Sequence, residues 1–142
     1  MTILHDFAQN NQADKIRRSL LYGNGRQFLL TAVGTGFLPI HAAAAAGAIE
    51  AAQELLNAGC PIDARTTCND EDRTPLMIAA KFGQLPMVKF LLENNADIHA
   101  EDEDTFTALR LAVWNRQKEV TQYLLQNGAN RTDEPGYEEM GL

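Results

Sequence analysis

The sequence predicts an all-α repeat solenoid, a stack of helix–turn–helix units, and two observations carry that expectation. Paired apolar segments recur along the chain at a nearly constant spacing. Such a period marks a one-dimensional array in which each unit buries its apolar face only against its neighbours. The hydrophobic fraction of 45% is rich in alanine and leucine, with one Trp, three Tyr and six Phe in 142 residues. Close packing must then come from small and aliphatic groups at regular positions, which favours helices over a sandwich of sheets.

LPIHAA from Leu38 returns as TPLMIAA from Thr74 and as TALRLAV from Thr107, at separations of 36 and 33 residues. Each copy leads, through a glycine or a polar pair, into a second segment: EAAQELLNAG from Glu50, PMVKFLLENN from Pro86 and EVTQYLLQNG from Glu119. Coupled segments recurring in step argue strongly against a chance match. A shift of 36 residues brings the N-terminal region into the series, with Phe7 and Ala8 under Ala43 and Ala44, and Asn11 under Gly47. No turn signature precedes that first unit, as suits a terminal unit with a polar outer face. The organisation predicted is a repeat domain over residues 1–133, in units of about 2–36, 37–72, 73–105 and 106–133, followed by an acidic tail at 134–142.

In unit two, FLPIHAAAAAG at residues 37–47 starts a helix at Pro39, keeps its axis close to a neighbour with Ala43 and Ala44, and turns out at Gly47. Alanine suits a close contact because its methyl group loses almost no rotamer entropy. The second helix of this unit stops at Asn57-Ala58-Gly59. In unit three, Thr74 caps a helix whose first turn holds Pro75, where the missing amide hydrogen is harmless. Met87, Val88, Leu91 and Leu92 then form one helical face, with Lys89 and Glu93 turned away and Asn94-Asn95 as the stop. Gly128 ends the second helix of unit four. The runs TTCNDEDR and AEDEDTF are too hydrophilic for a core and short enough for projecting turns.

Together these features resemble the ankyrin repeat. The likeness is specific at Thr74, Pro75, Leu76, Ala79, Ala80, Gly83, Leu91 and Leu92, continues through Leu109, Ala112, Leu124, Leu125 and Gly128, and covers roughly residues 4–133. Unit two departs with Leu38 where threonine is usual. Met77 and Arg110 stand at the usual histidine, Arg116 stands at the usual glycine, and about three extra residues fall near 66–69. The resemblance implies β-hairpin loops between helix pairs, and His41 bracing its hairpin by hydrogen bonds. His5, 36 residues earlier, repeats that role. It also implies a concave surface made of hairpin tips and of the two positions after the paired alanines, here Ala45-Ala46, Lys81-Phe82 and Trp114-Asn115.

On that pattern Phe82 and Trp114 occupy equivalent, exposed positions in adjacent units. Aromatic side chains there offer rigid apolar area to a partner, the plainer alternative being packing against the neighbouring hairpin. Charge is polarised along the array. Residues 97–104 hold five acidic side chains and no Lys or Arg, whereas residues 1–30 hold two acidic residues and four Lys or Arg. A protein partner with a basic or mixed-charge surface would be steered over Asp102, Glu103 and Asp104, with Phe106 beside them. Solubility of a repeat rod is the competing reason for acidic tips. The expected partner-binding set is Lys81, Phe82, Trp114, Asn115, Glu101, Glu103, Asp104 and Phe106. The expected role is a non-enzymatic protein-interaction module, an adaptor or inhibitor. A secreted bacterial effector of ankyrin type and a structural subunit of a larger assembly are the alternatives.

Other classes find little support. A net charge of -7, with no cluster of Lys and Arg, is wrong for a nucleic-acid surface. No apolar run has the length of a signal peptide or a membrane span, so the chain is expected to be soluble, cytoplasmic and monomeric when free, with delivery into a host cell left open. Cys60 and Cys68 lack CxxC spacing and are expected to be free thiols. Neither has an evident histidine base, His99 lacks metal-binding partners, and Glu138-Glu139 belongs to a tail with no obvious pocket. No phosphate loop, HExxH helix or nucleophile elbow occurs, so no catalytic residue, cofactor or metal is expected.

Overall fold

The computed structural model describes residues 3–22, 29–32, 36–67, 71–133 and 135–142; Cys68 and part of the long loop around it lie outside them. Among the described residues there are eight α-helices and no β-strand. They pair as α1 (Ile3–Gln9) with α2 (Ala13–Tyr22), α3 (Pro39–Ala46) with α4 (Ile49–Asn57), α5 (Pro75–Lys81) with α6 (Leu85–Glu93), and α7 (Ala108–Trp114) with α8 (Lys118–Gln126). The first helices start where the sequence supplies a cap. Thr74 Oγ1 accepts from the Met77 amide at 3.3 Å, and Thr107 Oγ1 from the Arg110 amide at 3.3 Å. Each such cap stabilises its helix by about 1 kcal/mol. Leu38 has no oxygen to offer, so its own amide donates to His41 Nδ1 at 3.0 Å.

The first helices α1, α3, α5 and α7 pack in one row, and the second helices α2, α4, α6 and α8 in another behind it. Ala43, Ala44, Ala79, Ala80 and Ala112 are buried in the first row. One leucine of each pair, Leu55, Leu91 and Leu124, is fully buried in the second row, while Leu56, Leu92 and Leu125 lie at its edge. No helix among the described residues is long and apolar enough to cross a membrane.

One inter-unit contact explains which turns need glycine. Gln84 Nε2 donates to the Ala45 carbonyl at 2.8 Å, and Gln117 Nε2 to the Lys81 carbonyl at 3.2 Å. Each glutamine amide lies over the turn of the preceding unit. A Cβ on Gly47 would come 2.6 Å from Gln84 Oε1, and one on Gly83 would run into Gln117 Oε1. Both glycines also have a left-handed backbone, φ 69° and 70°. Asn11 and Arg116 take the same left-handed turn, φ 53° and 57°, with full side chains. Over Asn11 the next unit has only Ala48 in place of glutamine, and Asn11 Oδ1 itself accepts from the Ala51 amide at 3.0 Å. Beside Arg116 the described residues place the segment 135–142.

That last face is occupied by residues 135–142, expected from sequence to be a plain acidic tail without a pocket. Instead the segment docks. Tyr137 is 2% exposed, lies under the Arg131 guanidinium at 4.5 Å, and brings its hydroxyl to Thr132 Oγ1 at 3.4 Å. Met140 is buried, and Arg116 Nη2 pairs with Glu139 Oε2 at 2.9 Å. Gly136 lies so close to Val113 that a Cβ there would overlap its Cγ1.

Candidate protein-binding surface

The hairpin tips are held to one another before they are offered to solvent. Arg65 Nη1 donates to the Asp72 and Glu101 carbonyls, both at 2.7 Å, and the Asp63 carboxylate accepts from the Asp97 amide at 3.1 Å. In the turns implied by the sequence, Thr66 N donates to Arg73 O and Asp102 N to Phe106 O, each at 3.0 Å, and Thr105 N donates to Asp102 O at 3.0 Å. His41 Nδ1 is occupied as an acceptor, so Nε2 carries the proton and donates to the Ala64 carbonyl at 2.8 Å. Burial drives the His41 pKa down from 6.5 to about 4. His5 repeats the role one unit earlier, with Nε2 bonded to the Phe37 carbonyl at 2.7 Å.

The structure corrects the reading of Asp102. Its side chain is 1% exposed and paired with Arg73 Nε at 3.1 Å. Its Oδ1 accepts from the Asp104 and Phe106 amides at 3.0 and 2.8 Å. A carboxylate with these partners braces the loop from inside and presents no charge to a ligand. Its neighbours Glu101, Glu103 and Asp104 are exposed, thrown outward by the turn that Asp102 organises.

Phe82 is 50% exposed and Trp114 62% exposed. They are not strictly equivalent. Phe82 caps the C-terminus of α5, whereas Trp114 is the last residue of α7 and Asn115 its cap, one register step apart. Lys81 Nζ lies 5.8 Å from the Phe82 ring centroid. The Asn115 amide is turned back to the Leu111 carbonyl at 2.8 Å, so this residue serves its own helix end. Phe106 meets Trp114 edge to face at 5.5 Å, and the Arg110 guanidinium lies 4.1 Å over the Phe106 ring. Phe106, just before the Thr107 cap of α7, thus touches both Arg110 and Trp114 on the helix, a ladder at four-residue spacing visible in the sequence but not singled out there.

Two depressions border this ladder. One, of about 170 Å³, is lined by Val113, Trp114, Arg116, Pro135, Gly136 and Glu139. The other, of about 180 Å³, lies among His99, Glu101, Thr105, Arg110, Asn130 and Thr132. Among the described residues no group of three His, Cys, Asp or Glu is arranged to hold a metal ion. Burial pushes the Cys60 thiol up to about 11, which keeps it protonated and unreactive.

Comparison with known proteins gives this stack its family. The family model for ankyrin repeats in three copies matches residues 4–102 and 40–134. The chain belongs to the ankyrin-repeat family. It is 35% identical over 137 residues to the human neurogenic locus notch homolog protein 2, covering 96% of this chain and 5% of that protein. It is 33% identical over 142 residues to the Xenopus laevis neurogenic locus notch homolog protein 1, and 45% identical over 65 residues to the rat ankyrin repeat and SAM domain-containing protein 6. The chain spans only 5 to 7% of the length of these relatives. Ankyrin repeats generally mediate protein–protein interaction. In ankyrin terms, the usual histidine is kept at His41, replaced by the buried Met77 in unit three, and replaced by the ring-stacked Arg110 in unit four.

Proposed function

We propose that this chain is a non-enzymatic protein-binding module that grips its partner at the C-terminal half of its concave face. Lys81, Phe82, Phe106, Trp114 and Asn115 form the contact patch in this reading, with Glu101, Glu103 and Asp104 as an acidic rim. The partner is a protein with a basic or mixed-charge surface, and the module acts on it as an adaptor or inhibitor. The observation that carries the proposal is the half or greater exposure of Phe82 and Trp114 at the ends of two helices packed side by side. Folding gains nothing from leaving large aromatic rings in water, whereas an interface gains rigid apolar area from them. The other large exposed apolar residues among those described, Ile3, Leu21, Tyr22 and Leu30, lie in the first unit and its connection to the next. Ala45 and Ala46 leave unit two bare, so contacts concentrate in units three and four.

The test is affinity capture with the parent chain and with a Phe82→Ala, Trp114→Ala double variant of matched melting temperature. Loss of a specific protein from the variant supports the patch, and equal recovery of every protein removes it.

A further inference from the structure

Trp114 meets Phe106 edge to face and is still 62% exposed beside the docked segment. The gap between them is the 170 Å³ slot. It is lined by Val113, Trp114, Pro135 and Gly136 and by the exposed Arg116–Glu139 ion pair, 2.9 Å long. At about 30 Å³ per water the slot has room for one large side chain. Its lining is mixed, apolar at Val113, Trp114 and Pro135 and polar at Arg116 and Glu139, and displacing poorly ordered water from the apolar part by an apolar group favours binding.

Charge selects what accompanies that side chain. Arg116 and Glu139 neutralise each other, whereas the loop bearing Phe106 exposes Glu101, Glu103 and Asp104 with no Lys or Arg between 97 and 104. Phe106, at the end of that loop, touches Trp114, which lines the slot. A Lys or Arg next to the inserted side chain would meet both the carboxylates and the electron-rich face of the indole.

We propose that this slot seats one large apolar side chain of a basic protein segment, and that the docked C-terminal residues Pro135, Gly136 and Glu139 supply half of the site. The proposal rests on the reading of the Phe82 and Trp114 region as a protein-binding surface. It adds a site and a partner chemistry to it. The docked segment is then part of the recognition surface as well as the cover of the last repeat.

Trp114 is the only tryptophan of the chain, so its emission reports on the slot directly. A displayed library of short random peptides is selected on the full chain, and enriched peptides are synthesised and titrated by Trp114 fluorescence. The same peptides are titrated by anisotropy on Pro135→Asp and Phe82→Ala, each first checked for an unchanged melting temperature. Expected are peptides with a large apolar residue beside Lys or Arg, a change in Trp114 emission, and a loss of about tenfold or more in affinity on Pro135→Asp. Peptides weakened by Phe82→Ala but indifferent to Pro135→Asp, with Trp114 emission unchanged, overturn the slot and leave the protein-binding face standing. Peptides indifferent to both variants overturn slot and face together. Enrichment of acidic or wholly polar peptides, or of none, overturns the partner chemistry proposed here.

Discussion

His41 shows how one residue links fold to conditions. Its ring is fully buried with both nitrogens committed, and burial holds its pKa near 4 instead of 6.5. The folded state therefore binds fewer protons than the unfolded chain between these values. Stability is full above about pH 6.5 and falls as pH drops toward 4, by about 3 kcal/mol for this group. His5 shifts in the same direction, also through burial. Denaturant midpoints measured across that range check the slope, and an NMR titration of the His41 ring near 6.5 would contradict the assignment. The alanine row is equally specific. Ala79 and Ala112 are 0% exposed between neighbouring helices, so Ala79→Leu or Ala112→Leu should overpack the row and cost about 1 to 3 kcal/mol in thermal or urea unfolding.

At the level of elements, the stack is joined by glutamine amides that pass over the turns of the preceding unit. Gly83→Ala should destabilise by roughly 1 to 2 kcal/mol from backbone strain alone, with a further clash against Gln117. In a double-mutant cycle the clash disappears with Gln117→Ala while the strain persists; strictly additive effects would mean the amide is not what excludes a side chain. The docked segment has its own prediction. Tyr137→Ala should cost about 3 kcal/mol by emptying a buried site. The repeats were legible from sequence because their apolar residues recur in step, so each unit corroborates the next. The docked segment was not, since Tyr137 and Met140 sit among four acidic residues in 131–142 and repeat nothing. Asp102 was misread for a related reason: its charge is cancelled by Arg73, 29 residues away, and only the folded chain brings them together. Exposure of Phe82 and Trp114 followed from the repeat register, but the Phe106–Arg110–Trp114 ladder depends on ring orientations that spacing alone does not set.

Across the whole molecule, the two ends of the array differ. The first unit holds four of the twelve Lys and Arg residues against two acidic ones, with Arg17 paired to Glu54 of the next unit, while the exposed tip carboxylates Glu101, Glu103 and Asp104 and the exposed rings of Phe82 and Trp114 lie in units three and four. The exposed carboxylates at these tips predict that association with the partner slows as rising salt shortens the Debye length, about 10 Å at 0.1 M, with a weaker effect on dissociation. A salt-independent association rate would show that the acidic tips do not steer binding. The central claim is that the aromatic patch in units three and four is the binding surface. Its most direct test is quantitative affinity capture from the source cell, with the parent chain against the Phe82→Ala, Trp114→Ala variant at equal folded concentration. The account predicts at least one protein recovered by the parent and lost by the variant; the same proteins recovered equally by both would contradict it.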